Sequence, residues 1–347
     1  MPVLGIESVV YCVSEVVRSV AFFEDFGLRL TEDRPDRAIF SLPDTSQVII
    51  QDIEKHAISG SRIEGHGVHE IVWGVDSMNH LRRLVDRVVV DREVRWDEDG
   101  TAHFIADGGL PMALRHWPSH RMPLTAVDPV NSPGNVNRMN VHRSWIARAR
   151  PKRMMHAVYL MPQPDEAAAF LCDRLDFRLT DRQRDVGVYL RCEGASDHHN
   201  IALFNSTGGF SDRSGATRFH HINYHVTDLD EIMVGRNYME RRGWPRSTWG
   251  LGRHRISSAL FHYLPCPAGG EAEYGADSDQ IDDGWIPRDW DGLFGFGQWV
   301  HDMPDFWIEG HDWQVGFAAG SVPGRGSIED RQPDSGSPLS TVKEVRG

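Results

Sequence analysis

Two histidines and a glutamate, each set in an apolar strand-like run, mark where this 347-residue chain could do chemistry. His156 opens the second half in MMHAVYL, His221 stands in FHHINYHV, and Glu273 follows a Pro/Gly turn in FHYLPCPAGGEAEY. Imidazoles and carboxylates among apolar neighbours must find a hydrogen bond, a water or a metal, because burying them unpaired costs free energy. Two neutral imidazoles and one carboxylate arriving on three strands form the facial set that suits non-haem Fe(II) and leaves coordination positions open. Any single one of the 18 histidines is more simply read as a satisfied core or surface residue. The case for a site therefore rests on the elements that bring these three together.

Those elements repeat. AFFEDFGLRLTEDR at 21–34 resembles AFLCDRLDFRLTDR at 169–182, each behind an apolar run, Ile6–Val13 and His156–Met161. Apolar residues three and four apart predict helices over Ser14–Phe26 and Asp165–Leu175, with Ser14 and Asp165 as N-caps and Gly27 ending the first helix. Alternating stretches follow, AIFSL and VIIQD in one copy, VGVYLRC and HNIALF in the other, and read as strands. A second pair of starts, VHEIVWGVDSMNHLRRLVDRV at 68–88 and HINYHVTDLDEIMVGRNYMERRG at 221–243, follows the same plan.

The predicted fold is therefore α+β, with four βαβββ modules paired into two curved-sheet, barrel-like domains whose inner surfaces gather matched positions. The expected organisation is a structural domain over 1–120, a Pro/Asn/Arg-rich connector over 121–153, and a catalytic domain over 154–280. An aromatic-rich wrap or lid follows over 281–319, then a mobile tail over 320–347 with too little apolar content to offset its ordering entropy. In the first half the places matching the three ligands are Ser8, His69 and a position close to Leu114, so that half carries no complete metal site.

Composition narrows the function classes. A formal net charge of -13 argues against a nucleic-acid binder, which would need a basic face, and disfavours an anionic membrane surface. No apolar run is long enough for a transmembrane helix, and MPVLGIESVVYCVSEVV lacks the basic start of a signal peptide, so a cytoplasmic protein is expected. Cys12, Cys172, Cys192 and Cys266 lie far apart, as reduced thiols with no shared task. The tryptophans at 285, 290, 299, 307 and 313 are expected to cover the open side of a barrel rather than form an aromatic cage, with lining of the substrate entrance left open.

The block GLGRH at 250–254, then LFHYLPCPAGGEAEYG with Pro267, Gly269 and Glu273 in the spacing P-x-G-x-x-x-E, carries a specific likeness. It resembles the signature of the type I extradiol catechol dioxygenases, members of the vicinal-oxygen-chelate (glyoxalase-like) superfamily. The resemblance covers most of 5–275 as a module pattern and is sharpest from 154 to 274. It implies an Fe(II) centre, with Mn(II) also accepted, on His156, His221 and Glu273. It implies His199 in DHHNIALF as the acid–base residue, and His254 and Tyr263 as hydrogen-bond donors to substrate oxygens. The implied partners are a catechol and O2, the implied product a ring-opened semialdehyde, and the implied assembly a homo-oligomer.

Some residues depart from that pattern or compete with it. Relatives acting on biphenyl diols carry Asn and Asp just after the GRH motif, where Ile256 and Ser257 stand here, removing an expected partner of His254. The segments VDPVNSPGNVNRMN and WIPRDWDGLFGFGQW look more like relatives acting on carboxylated catechols, making Arg288 a carboxylate clamp or lid residue, or else a surface arginine. Glu271 is a rival carboxylate on the same strand face as Glu273, whereas His198 and His220 are expected on the opposite face of a strand from the functional histidines, as scaffold or surface. Two other functions stay open: a metal-dependent isomerase, lyase or hydrolase with a ligand from each paired module, and a small-molecule binding protein without catalysis.

Overall fold

The computed structural model describes residues 3–56, 58–208, 213–302 and 315–317; Trp307, Trp313 and the expected tail over 320–347 lie outside them. Four copies of one plan follow each other. The first is β1 (Val3–Val13), α1 (Val16–Phe26), β2 (Arg29–Arg34), β3 (Arg37–Ser41) and β4 (Gln47–Asp52). The second is β5 (Gly67–Val75), α2 (Met78–Val88), β6 (Arg95–Trp96), β7 (Ala102–Ala106) and β8 (Leu110–His116). The third is β9 (Arg153–Met161), α3 (Pro164–Leu175), β10 (Arg178–Gln183), β11 (Gly187–Arg191) and β12 (Ile201–Asn205). The fourth is β13 (Arg218–His225), α4 (Leu229–Arg241), β14 (Leu251–Arg253), β15 (Leu260–Pro265) and β16 (Glu271–Ala276).

Each pair of modules shares one sheet through its leading strands. β1 lies antiparallel to β5, and β9 to β13. On their outer sides these strands carry, in parallel, the last strand of their own module: β4 on β1, β8 on β5, β12 on β9, β16 on β13. The sheet orders are β2-β3-β4-β1-β5-β8-β7-β6 in the first half and β14-β15-β16-β13-β9-β12-β11-β10 in the second. Both sheets are open at their edges. The late segment extends the second sheet with β17 (Arg288–Trp290) beside β10 and β18 (Trp299–Val300) beside β14, with α5 (Gly292–Phe296) between them and β19 (Val315–Phe317) beside β17.

Two expected caps are displaced. The N-cap of α1 is Glu15 rather than Ser14, and that of α3 is Gln163 rather than Asp165. Pro164 explains the second shift, because it has no N–H to satisfy and its fixed φ suits the first helical position; Asp165 then sits in the first turn, where the helix dipole favours its charge. Gly27 does close α1, at φ 112°, with its N–H on the carbonyls of Phe23 and Glu24. A Cβ there would also lie 2.2 Å from the Ala149 carbonyl oxygen, so no other residue fits.

Helix α1 buries Val16, Val20, Phe22, Phe23 and Phe26, the i, i+3, i+4 stripe that the sequence pattern requires. That stripe packs partly on the other half: Phe26 stacks on Tyr274 at 4.0 Å, and the Tyr274 hydroxyl donates to the Phe26 carbonyl at 2.7 Å. The Tyr11 and Tyr224 hydroxyls meet at 3.3 Å, and Tyr159 donates to the Val68 carbonyl at 3.0 Å. Buried apolar residues of both halves form one continuous core.

Candidate metal centre

Strand register brings the three ligand candidates together. His156 of β9 lies opposite Asn223 of β13, Asn223 lies opposite Glu273 of β16, and His221 sits two residues before Asn223. The Nε2 atoms of His156 and His221 are 3.1 Å apart, and each is 3.3 Å from Glu273 Oε2. Among the described residues this is the one group of three such side chains close enough to share an ion. All three are buried, and neither Glu273 oxygen has a hydrogen-bond partner. Burial raises the Glu273 pKa and the two imidazoles more than reverse this, so the carboxyl is held well below its usual range. His156 is shifted down, mainly by burial and against the pull of Glu273. Lone-pair atoms facing each other at such distances, with the carboxylate otherwise unsatisfied, are an arrangement that a divalent cation relieves.

A cavity of about 320 Å³ opens beside these residues. His199 lines it, stacked on His156 at 4.1 Å between ring centroids, and burial first of all holds its pKa well below the ordinary value. Tyr263, on β15 directly opposite Glu273, lines it too, and the Tyr263 hydroxyl lies 3.2 Å from His254 Nε2. His254 Nδ1 is 2.7 Å from the Phe296 carbonyl, so that nitrogen carries the proton, and Nε2 accepts from Tyr263. The sequence left His254 short of a partner at Ile256 and Ser257; α5 of the late segment supplies one through Phe296. His254 has its pKa pulled down by burial to about 4 and is neutral at pH 7.

The remaining walls are mostly apolar, including Val158, Val186, Phe204, Trp249, Ile256 and Phe296, and no lysine or arginine is among the described lining residues. Glu271 lines the cavity as well but is not one of the three clustered groups, and its pKa is raised, chiefly by burial. Arg288 lies elsewhere. It lines an outer cleft of about 760 Å³ that adjoins the cavity at Ser257, and its guanidinium rests 3.8 Å from the centroid of Trp285.

Two histidines expected as scaffold on an opposite face are placed differently. His220 lines the cavity, with Nδ1 2.6 Å from His221 Nδ1. A register shift in β13 between Phe219 and His221 breaks the alternation on which the expectation rested. His198 is fully buried, its Nδ1 3.1 Å from His199 Nδ1 and its Nε2 3.1 Å from Asp181. It precedes β12, which begins only at Ile201, so strand periodicity does not apply to it.

The first half corrects another expectation. Val10 pairs with Glu70 and Ser8 with Val72, as Val158 pairs with His221 and His156 with Asn223. Val72 pairs with Ala113, as Asn223 does with Glu273, and His103 pairs with Ala113, as Tyr263 does with Glu273. The counterparts of the three ligands are thus Ser8, Glu70 and Ala113, and that of Tyr263 is His103. His69 is one residue out of register, with Nε2 2.8 Å from the Gly65 carbonyl. In this half Glu70 holds His103 Nδ1 at 2.8 Å, and His103 Nε2 meets Asp97 at 3.0 Å.

Paired βαβββ modules with this strand order define the vicinal-oxygen-chelate fold. No protein-family model matches the chain. It is similar in sequence to Metapyrocatechase 2 of Cupriavidus necator, 32% identical over 217 residues, which cover 61% of this chain and 64% of that protein. The chain thus spans a little under two thirds of that relative. In fold it matches homoprotocatechuate 2,3-dioxygenase from Arthrobacter globiformis, with a TM-score of 0.67 at 16% identity over 89% of this chain and 91% of that one. It also matches the Mn(II)-bound glyoxalase from Novosphingobium aromaticivorans, with a TM-score of 0.66 at 21% identity over 86% and 91%.

Proposed function

We propose that this protein is an extradiol dioxygenase, opening a catechol beside its two hydroxyls with O2 at a mononuclear Fe(II) held by His156, His221 and Glu273. The observation that carries the reading is the buried two-imidazole, one-carboxylate cluster opening directly onto the cavity that His199, His254 and Tyr263 line. Two neutral ligands and one anionic one leave a divalent iron with net positive charge, open positions and redox capacity, which together favour a bound catecholate and its reaction with O2. The same donors accept Mn(II), and the Mn(II)-bound glyoxalase shares the fold.

The chain's own groups supply the rest. His199, neutral in its buried setting, takes the proton from a catechol hydroxyl and returns it to the product. Burial pushes the Tyr263 pKa well above the ordinary value, so its hydroxyl stays protonated and can turn from His254 to donate to a developing oxyanion. The apolar walls hold the ring and exclude water. With no Lys or Arg among the described residues along them and the carboxyl of Glu271 present, they suit an apolar substituent on the catechol rather than a carboxylate. The product is a ring-opened semialdehyde. Among the described residues no helix is long and apolar enough to cross a membrane.

The test is to load the protein anaerobically with Fe(II), add alkyl-, aryl- and carboxyl-substituted catechols, and admit O2. A yellow product with stoichiometric oxygen uptake, absent in Glu273→Ala, is the expected result. No uptake with any catechol despite bound iron would overturn the reading and favour chemistry of the glyoxalase kind.

A further inference from the structure

A chain of hydrogen bonds runs from the late segment to the cavity. Asp181 of β10 is fully buried, and among the described residues its carboxylate meets two indole nitrogens, one backbone N–H and one imidazole nitrogen. Its Oδ1 accepts from the Arg288 backbone N–H at 2.8 Å and lies 3.4 Å from Trp285 Nε1. Its Oδ2 accepts from Trp290 Nε1 at 2.8 Å and faces His198 Nε2 at 3.1 Å. With the carboxylate acting as acceptor, His198 carries its proton on Nε2 and presents a lone pair at Nδ1. His198 Nδ1 lies 3.1 Å from His199 Nδ1, so His199 must be the donor of that bond and carry its own proton on Nδ1. The nitrogen left for the cavity that His199 lines is then Nε2, bearing a lone pair.

We propose that Asp181 and His198 are positioning residues that fix the tautomer of His199, so that Nε2 reaches the cavity as a proton acceptor. The late segment takes part, because the Arg288 amide, with Trp285 more distant, engages Oδ1 of Asp181, and Trp290 shares Oδ2 with His198. No bond to substrate is made by either positioning residue. The proposal rests on the reading of His199 as the acid–base group, but the tautomer itself can be measured without turnover.

Replacing Asp181 by Asn puts an NH2 among donors. Turned toward His198, it donates to Nε2, shifts the His198 proton to Nδ1, and forces the His199 proton onto Nε2. Nitrogen-15 histidine shifts report which ring nitrogen carries the proton. They are measured on the metal-free full chain and assigned by the signal that His199→Gln removes. The wild type is expected to show His199 protonated on Nδ1, and Asp181→Asn to show it on Nε2. Once loaded with iron, that variant should keep its metal content and KM while kcat falls about 10²-fold. If Asp181→Asn fails to fold, His198→Phe removes the acceptor for the Nδ1 proton, and His199 should then populate both tautomers.

A wild-type His199 protonated on Nε2, or a tautomer unchanged in the variants, would overturn the proposal. Tautomers that behave as stated in a protein that turns over no catechol would leave the chain of bonds standing and remove the dioxygenase reading instead.

Discussion

The two halves place the same four positions on the same scaffold and fill them for opposite ends. In the second half, register sets His156, His221, Glu273 and Tyr263 around one point, and the carboxylate is left without a hydrogen bond. In the first, those positions hold Ser8, Glu70, Ala113 and His103, and the carboxylate is satisfied by the histidine beside it. A scaffold that can converge side chains does not by itself make a site. What separates the halves is whether the converging groups satisfy one another or remain unsatisfied until a ligand arrives.

Removing the carboxylate from each half is the most severe way to break this contrast. Glu273→Ala should lose bound metal, measured per chain by elemental analysis, and lose oxygen uptake down to the metal-free background. Glu70→Ala should change neither, and a loss of metal there would mean the halves are not functionally distinct. Next in size, His199→Gln should lower kcat by about 10²- to 10³-fold at full metal content. His103→Gln should leave kcat unchanged in the same assay.

The pH response of the metal-free protein sharpens the contrast further. Burial alone would lower the His103 pKa, but Glu70 and then Asp97 hold it above the ordinary value. A raised histidine pKa contributes stability that is complete below about pH 6.5 and is lost as pH rises through the folded value. His262, in β15, is displaced the other way, pulled by burial to about 4. Its contribution is present above about pH 6.5 and is lost as pH falls toward 4, on the order of 3 kcal/mol. Hydrogen exchange corrected for intrinsic rates should therefore show the second half loosening first on acidification. Equal loosening of both halves would contradict this. The smallest effect is expected at Arg288, whose side chain rests on Trp285 outside the inner cavity. Arg288→Ala should change kcat/KM by less than about threefold, in keeping with a half-buried cation–π contact away from the reacting groups.

What the sequence made legible is what periodicity and punctuation encode. Four strand–helix starts, the Gly27 terminus and the Pro267–Gly269–Glu273 spacing are local, and β16 does bring Glu273 beside the strand bearing His221, with that bearing His156 one strand further. The misplaced expectations are non-local. His69 matched His221 as a residue type, but the pairing of Val10 with Glu70 shows the register one residue away. His220 escaped its alternation through a bulge that no local pattern announces, and His198 escaped because its strand begins three residues later. Asp181 was invisible for a related reason. Its meaning depends on donors more than a hundred residues downstream, at Trp285, Arg288 and Trp290.

The stacking of Phe26 on Tyr274 carries a consequence for anyone who would dissect the molecule. Tyr274 is the residue next to Glu273, and its ring and hydroxyl both lean on α1 from the opposite half. An excised fragment beginning near residue 150 would keep every candidate ligand yet lose the wall behind the strand that aims one of them. Such a fragment should express as a sticky, poorly ordered chain. The half without a metal site is better regarded as the other's mould than as a remnant, and a minimal version of this protein needs both halves.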